Sequence, residues 1–155
     1  MLDRWDQERI AAFVPAAWAQ RVAACGGTVH EVDGLAVCLT GVPLAPFNPT
    51  LVVRLPDDPD EAVARAATRY EGTGLSIGID LDVSLHGPVR QAAARAGLTM
   101  VESRPGMTLR PREAARVDPP DGVELFRVDD PALLDELVEV DAAAFGGEPA
   151  MTRRF

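Results

Sequence analysis

The apolar positions change period several times along the chain, and each change marks an element. Between Asp3 and Cys25, Ile10, Val14, Trp18 and Val22 recur every fourth residue, the spacing that lines one stripe of an α-helix. Pro15 is expected to divide that helix in two, because an interior proline removes a backbone hydrogen bond, and Gly26-Gly27 ends it. Residues 28–32 and 35–39 are short apolar runs joined by Asp33-Gly34, a strong two-residue signal for a β-hairpin. A proline-punctuated loop, GVPLAPFNP, covers residues 41–49. Residues 50–55 (TLVVRL) are then almost continuously apolar, as in a strand covered on both faces.

The pattern continues with an acidic turn, Pro56-Asp57-Asp58-Pro59-Asp60-Glu61, leading into a helix that runs to about Tyr70. Residues 75–81 (LSIGIDL) form the next predicted strand. Pro88 can open a helix that stops at Gly97, and residues 98–102 and 107–109 are expected as a strand pair around Ser103-Arg104-Pro105-Gly106. The predicted fold class is α/β (α+β), a mixed, mostly antiparallel central sheet flanked by helices. Residues 111–122 hold three prolines and no apolar period, which predicts a linker. Beyond it, residues 123–128 (VELFRV) alternate like a strand, and Asp130-Pro131 opens a helix carrying Leu133, Leu134, Leu137 and Val140. The expected organisation is a module over residues 1–110, a linker over 111–122, and over 123–155 the first strand and helix of an incomplete second domain. One strand and one helix cannot enclose a core of their own.

Charge narrows the partners. The 155 residues carry a formal charge of −9, with six of those nine negative charges on residues 111–155, and no basic cluster occurs. Nucleic acid and anionic membrane surfaces, which attract Lys and Arg, are therefore not expected as partners; the acid also serves simply to keep a protein soluble. No apolar run reaches the ~18 residues of a membrane span, and Asp3, Asp6 and Glu8 stand where a signal peptide would be basic, so a cytoplasmic location is expected. Every basic residue is Arg, and with abundant Ala this resembles coding from a GC-rich bacterial genome. Cys25 and Cys38 have neither CxxC spacing nor neighbouring histidine pairs, so buried thiols are expected and no metal site. His30 and His86 lie in no nucleophile or metal pattern and are expected to be structural.

The stretches VHEVDGLAVCLTGVPLAPFN, ARAATRYEGTGLSIGIDL, AARAGLTMVESRPGMTLRP and the restart GVELFRVDDPALLDELVEVDAAAFG together resemble the GNAT superfamily of N-acetyltransferases. The closer resemblance is to two-domain bacterial members, in which a GNAT-like N-terminal module precedes the catalytic domain. It implies that the complete protein moves acetyl from acetyl-CoA to a small-molecule or peptide amine, and that residues 123–155 begin the catalytic domain, truncated before its cofactor site. The family's acetyl-CoA motif, [QR]-x-x-G-x-[GA], follows the central strand, and its glycines let backbone N–H groups approach the pyrophosphate. The matching place here reads LPDDPDEA from Leu55 to Ala62, with no glycine and four acids. No catalytic residue, no cofactor-binding residue and no bound acetyl-CoA are therefore expected for this chain. The alternative is a stand-alone binding or dimerisation module, a homodimer forming through residues 123–145.

Phe47 and Asn48 are the substrate-pocket candidates, at the lip of a pocket contributed by the module; the ordinary reading of Asn48 in such a loop is a side chain that hydrogen-bonds its own turn. Tyr70, the sole tyrosine, is a core residue or an acid toward a leaving thiolate, although it sits on the wrong helix for that role. Asp80 and Asp82 form either a carboxylate pair for base chemistry or a solvated strand edge.

Overall fold

The computed structural model describes residues 4–104, 118–125, 127–128, 130–146 and 148–153. The chain divides into two compact units, Met1–Thr99 and Met100–Arg153. The fold class is mixed α+β, and the first unit holds a four-stranded sheet in the order β1-β2-β3-β4.

That sheet is built outward from a hairpin. β1 (Thr28–Val32) and β2 (Leu35–Leu39) pair antiparallel with Val32 opposite Leu35, so the turn is the two residues Asp33-Gly34. Both residues have positive φ, 47° and 91°, as a turn matched to the twist of the strands requires. Gly34 is also needed for space: a Cβ there would lie 2.6 Å from the carbonyl oxygen of Arg54. That close approach exists because the Gly34 carbonyl accepts from the N–H groups of Val53 and Arg54, pinning the turn to the end of β3. β3 (Thr50–Val52) pairs antiparallel with β2 and parallel with β4 (Ile79–Asp80), and all three of its residues are buried. The expectation of a central strand at residues 50–55 is met over three residues rather than six.

Alternation along β2 and β3 divides the core between two faces. Leu35, Val37 and Val52 point to one side, where they meet Ala62, Val63, Ala66 and Tyr70 of or beside α2 (Pro59–Thr68), and Val89 and Ala92 of α3 (Gly87–Arg95). Leu75, Ile77, Ile79 and Leu81 pack on the same cluster with strand-like alternation, yet only Ile79–Asp80 is paired as a strand. Cys38 and Leu51 point to the other side, against Val22 and Trp18 of α1 (Arg4–Ala24). α1 runs unbroken through Pro15, which corrects the expected division. A proline lacks its own N–H and crowds the carbonyl one turn back, but the hydrogen bonds on either side of that gap carry this helix past it. Of the predicted stripe, Val22 is buried and Trp18 packs on the sheet, whereas Val14 is 40% exposed.

The second unit is dominated by α4 (Pro131–Phe145), followed by a single turn, α5 (Pro149–Thr152). Asp130 caps α4 by accepting from the Ala132 N–H at 2.9 Å, and Gly146 ends it with φ 66°. Two strand expectations fail here. Residues 98–102 form no strand, and the partner predicted for them, 107–109, lies outside the described residues. Residues 123–125 and 127–128 form no strand either, and Val123, Leu125 and Val128 are exposed. An alternating pattern makes a strand only where another strand offers its hydrogen bonds, and none does so among the described residues. The predicted stripe of α4 is also corrected: the buried side chains are Val138 and Ala142, while Leu134, Leu137 and Val140 are exposed and Leu133 is half-buried.

Candidate functional site

At the crossover from β3 to α2, residues 53–61 leave the sheet and enter a helix. Asp58 is the N-cap of α2: its Oδ1 accepts from the N–H groups of Asp60 and Glu61, both at 3.0 Å, while Pro59 fills the first helical position without an N–H to satisfy. The amides that point out of the first turn of α2 are thus held by a carboxylate of the chain itself. Asp60 turns aside to form a two-pronged ion pair with Arg95 of α3, at 2.8 and 2.7 Å, and the Arg95 guanidinium holds the Asp60 carboxyl below its ordinary range. Arg65 reaches from α2 to Asp33 in the hairpin turn at 2.7 Å. Beside the Arg65–Asp33 pair lies an open cleft of about 190 Å3 lined by Asp33, Arg54, Asp57, Asp58, Glu61 and Arg65. Four carboxylates and two guanidiniums make its net charge negative. Arg54 and the ties to Asp33 and Arg95 are not evident from the chain order, since Asp33 and Arg65 are 32 residues apart and Asp60 and Arg95 are 35 apart.

Asn48 lies within the loop over residues 41–49, fully buried, with both ends of its amide engaged. Its Oδ1 accepts from the Thr40 N–H at 2.8 Å and from the Thr40 hydroxyl at 3.2 Å, and its Nδ2 donates to the carbonyls of Val42 and Leu44, each at 2.8 Å. The side chain is therefore the internal brace of the loop and presents no polar atom outward. Phe47, at the end of a short 3-10 turn (Ala45–Phe47), is half-buried. Tyr70 joins the same network from the end of α2. Its hydroxyl donates to the Asn48 carbonyl at 2.7 Å and lies 2.9 Å from the Thr50 hydroxyl; burial raises its pKa, which suits a structural phenol.

Asp80 and Asp82 have different surroundings. Asp80 ends β4, whereas the Asp82 carboxylate accepts from both the N–H and the hydroxyl of Ser84, which lowers its pKa. His86 caps this turn from the other side, its Nδ1 accepting the Asp82 N–H at 3.1 Å, and burial lowers its pKa. Aspartate, serine and histidine meet here, but Ser84 is bonded to Asp82 and His86 to backbone. No imidazole stands between hydroxyl and carboxylate, as activation of a serine would need. Ser84 could have been found from the sequence, because Asp-x-Ser ahead of a helix is the pattern of a side-chain-closed turn. His30 lies on β1 with Thr28 Oγ1 3.3 Å from its Nε2. Cys38 is buried and its thiol pKa is raised to about 11 by that burial, while Cys25 is half-buried. Among the described residues no group of three His, Cys, Asp or Glu side chains is arranged to hold a metal ion, and no helix is long and apolar enough to cross a membrane.

Comparison of the chain with protein-family models, with curated proteins and with solved structures gives no match.

Proposed function

We propose that the unit Met1–Thr99 is a GNAT-like module without transfer chemistry of its own, working within an N-acetyltransferase whose acetyl-CoA is bound elsewhere. One observation carries the non-catalytic part of this reading: Asp58 Oδ1 already accepts from the Asp60 and Glu61 N–H groups at the start of α2. A pyrophosphate at that helix would need those same donors and would face Asp57, Asp58 and Glu61 in the cleft. At contact distance each such carboxylate opposes a phosphate by about 1 to 4 kcal/mol, depending on the local dielectric. The residues present do not fit the cofactor, and no step of the reaction is assigned to this unit. The order of hairpin, central strand, helix, strand and helix supports the family side of the reading.

Calorimetric titration of the chain with acetyl-CoA tests it. No saturable heat is expected at micromolar concentration, and a clear one-to-one isotherm would overturn the assignment.

A second reading, a stand-alone binding module, is favoured by a different observation: Leu134, Leu137 and Val140 of α4 are 46%, 49% and 67% exposed. Leaving three large apolar side chains of one helix in water is the usual mark of an interaction face.

A further inference from the structure

The exposed side of α4 specifies more than that something covers it. Leu134, Leu137 and Val140 follow one another at three-residue steps, so they form a single slanting stripe along the helix. Glu136 stands one turn before Val140 and Asp141 one turn after Leu137, which sets a carboxylate on either side of the stripe. α4 contains four acids, Asp135, Glu136, Glu139 and Asp141, and no basic residue. One of the four is neutralised, since Arg153 pairs with Asp135 at 2.6 Å. Among the described residues the other three carboxylates have no ionic partner.

We propose that this face of α4 docks a basic amphipathic helix of another protein, apolar along one stripe with Lys or Arg at its margins. The inference rests on the binding-module reading and is independent of whether the first unit binds acetyl-CoA. Helix-against-helix docking suits an apolar stripe with anchors at three- and four-residue spacing. The rim decides the partner's charge. A second copy of α4 would bring its own Glu136 and Asp141 to the same rim, whereas Lys or Arg there would meet those two carboxylates, with Glu139 one row behind Glu136 adding to the same negative field.

The test uses the 155-residue chain and a synthetic helical peptide with Leu on one face and Lys along both margins. A peptide of the same composition with its Leu residues scattered around the helix is the control. Fluorescence anisotropy is expected to show saturable micromolar binding of the designed peptide, at least about tenfold tighter than the control, weakening about tenfold between low and high salt. Leu137→Asp and the paired reversal Glu136→Arg/Glu139→Arg should each weaken binding about tenfold or more. All three substitutions are at exposed positions, and the charge reversals remove no apolar contact, so they report on docking even if Leu137→Asp perturbs the helix. Equal affinity for both peptides, or binding insensitive to these variants, would overturn the proposal. So would sedimentation showing a stable dimer that Leu137→Asp dissociates, because the face would then be covered by a second copy; that result would leave the binding-module reading standing.

Discussion

Asn48→Ala separates a structural from an exposed role for the loop that carries Phe47 and Asn48. The substitution deletes four hydrogen bonds, but they do not count equally. The Val42 carbonyl keeps the Leu44 N–H at 2.8 Å and the Leu44 carbonyl keeps the Phe47 N–H at 3.1 Å, so neither acceptor is orphaned. The N–H and hydroxyl hydrogen of Thr40 lose their acceptor, and Thr40 is buried. Two buried donors without partners cost about 1–3 kcal/mol each, so a loss of about 3 kcal/mol is expected. For a unit of this size that corresponds to a fall in melting temperature of roughly 12 to 24 °C. Urea unfolding followed by circular dichroism measures it, with an unchanged slope showing that the unfolded state is not altered. Asn48→Asp sharpens the test, because its second oxygen would face the Val42 and Leu44 carbonyls where Nδ2 now donates. Burial against those oxygens would raise the introduced carboxyl's folded pKa above its unfolded value. Its destabilisation relative to the native chain should therefore be largest at neutral pH and shrink as pH falls through that raised pKa. A loss below about 1 kcal/mol for Asn48→Ala, or a pH-independent Asn48→Asp, would refute the brace and return Asn48 to the loop surface.

Three other expectations follow from the same geometry. Tyr70→Phe removes the hydroxyl shared by the Asn48 carbonyl and Thr50 and should cost about 1–3 kcal/mol in urea unfolding, with no new band of reactivity at the buried Cys38. Asp58→Ala uncaps α2 and should cost about 1 kcal/mol, and Asp58→Asn, which keeps an acceptor oxygen, should cost less. His86 has a folded pKa lowered by burial from 6.5, so the unfolded chain binds the extra proton first as pH falls; stability should decline below about pH 6.5, and His86→Asn should flatten that decline in melts run across the range.

What the sequence made legible was local. Asp33-Gly34 demands a turn with two positive φ values, and Asp58-Pro59 demands a capped helix start, so the hairpin and α2 could be placed to within a residue or two. Residues 98–102, 123–125 and 127–128 carry apolar residues as β1 does, yet make no ladder among the described residues, because an apolar pattern describes side chains and pairing depends on what lies alongside. Distance in sequence hid the electrostatic ties in the same way: nothing in PDEA announces that Asp60 will meet Arg95 rather than stay free at the helix start. Asn48 was conspicuous by type, and its type left two roles open. Four hydrogen bonds inward describe a brace, a distinction that no residue count contains.

The acidic turn carries a further test of the proposed reading. Its carboxylates divide the work: Asp58 caps α2, Asp60 ties α2 to α3, and Asp57 and Glu61 face the cleft with Arg54. Replacing Asp58 by glycine would free two N–H donors but leave Asp33, Asp57 and Glu61 against any phosphate brought to them. Replacing Asp57 and Glu61 instead would relieve that repulsion while Asp58 still held the donors. Each change alone fails for a reason the other does not cure, and removing the cap also weakens the helix on which the site would be built. Residues that must change together to create a function, and that each serve the fold as they stand, argue for a scaffold rather than a cofactor site one substitution from working. A triple variant, Asp57→Gly/Asp58→Gly/Glu61→Gln, should therefore be the smallest change to gain measurable pyrophosphate binding. Binding by either partial variant at comparable affinity would show that charge at the turn is not what excludes the ligand.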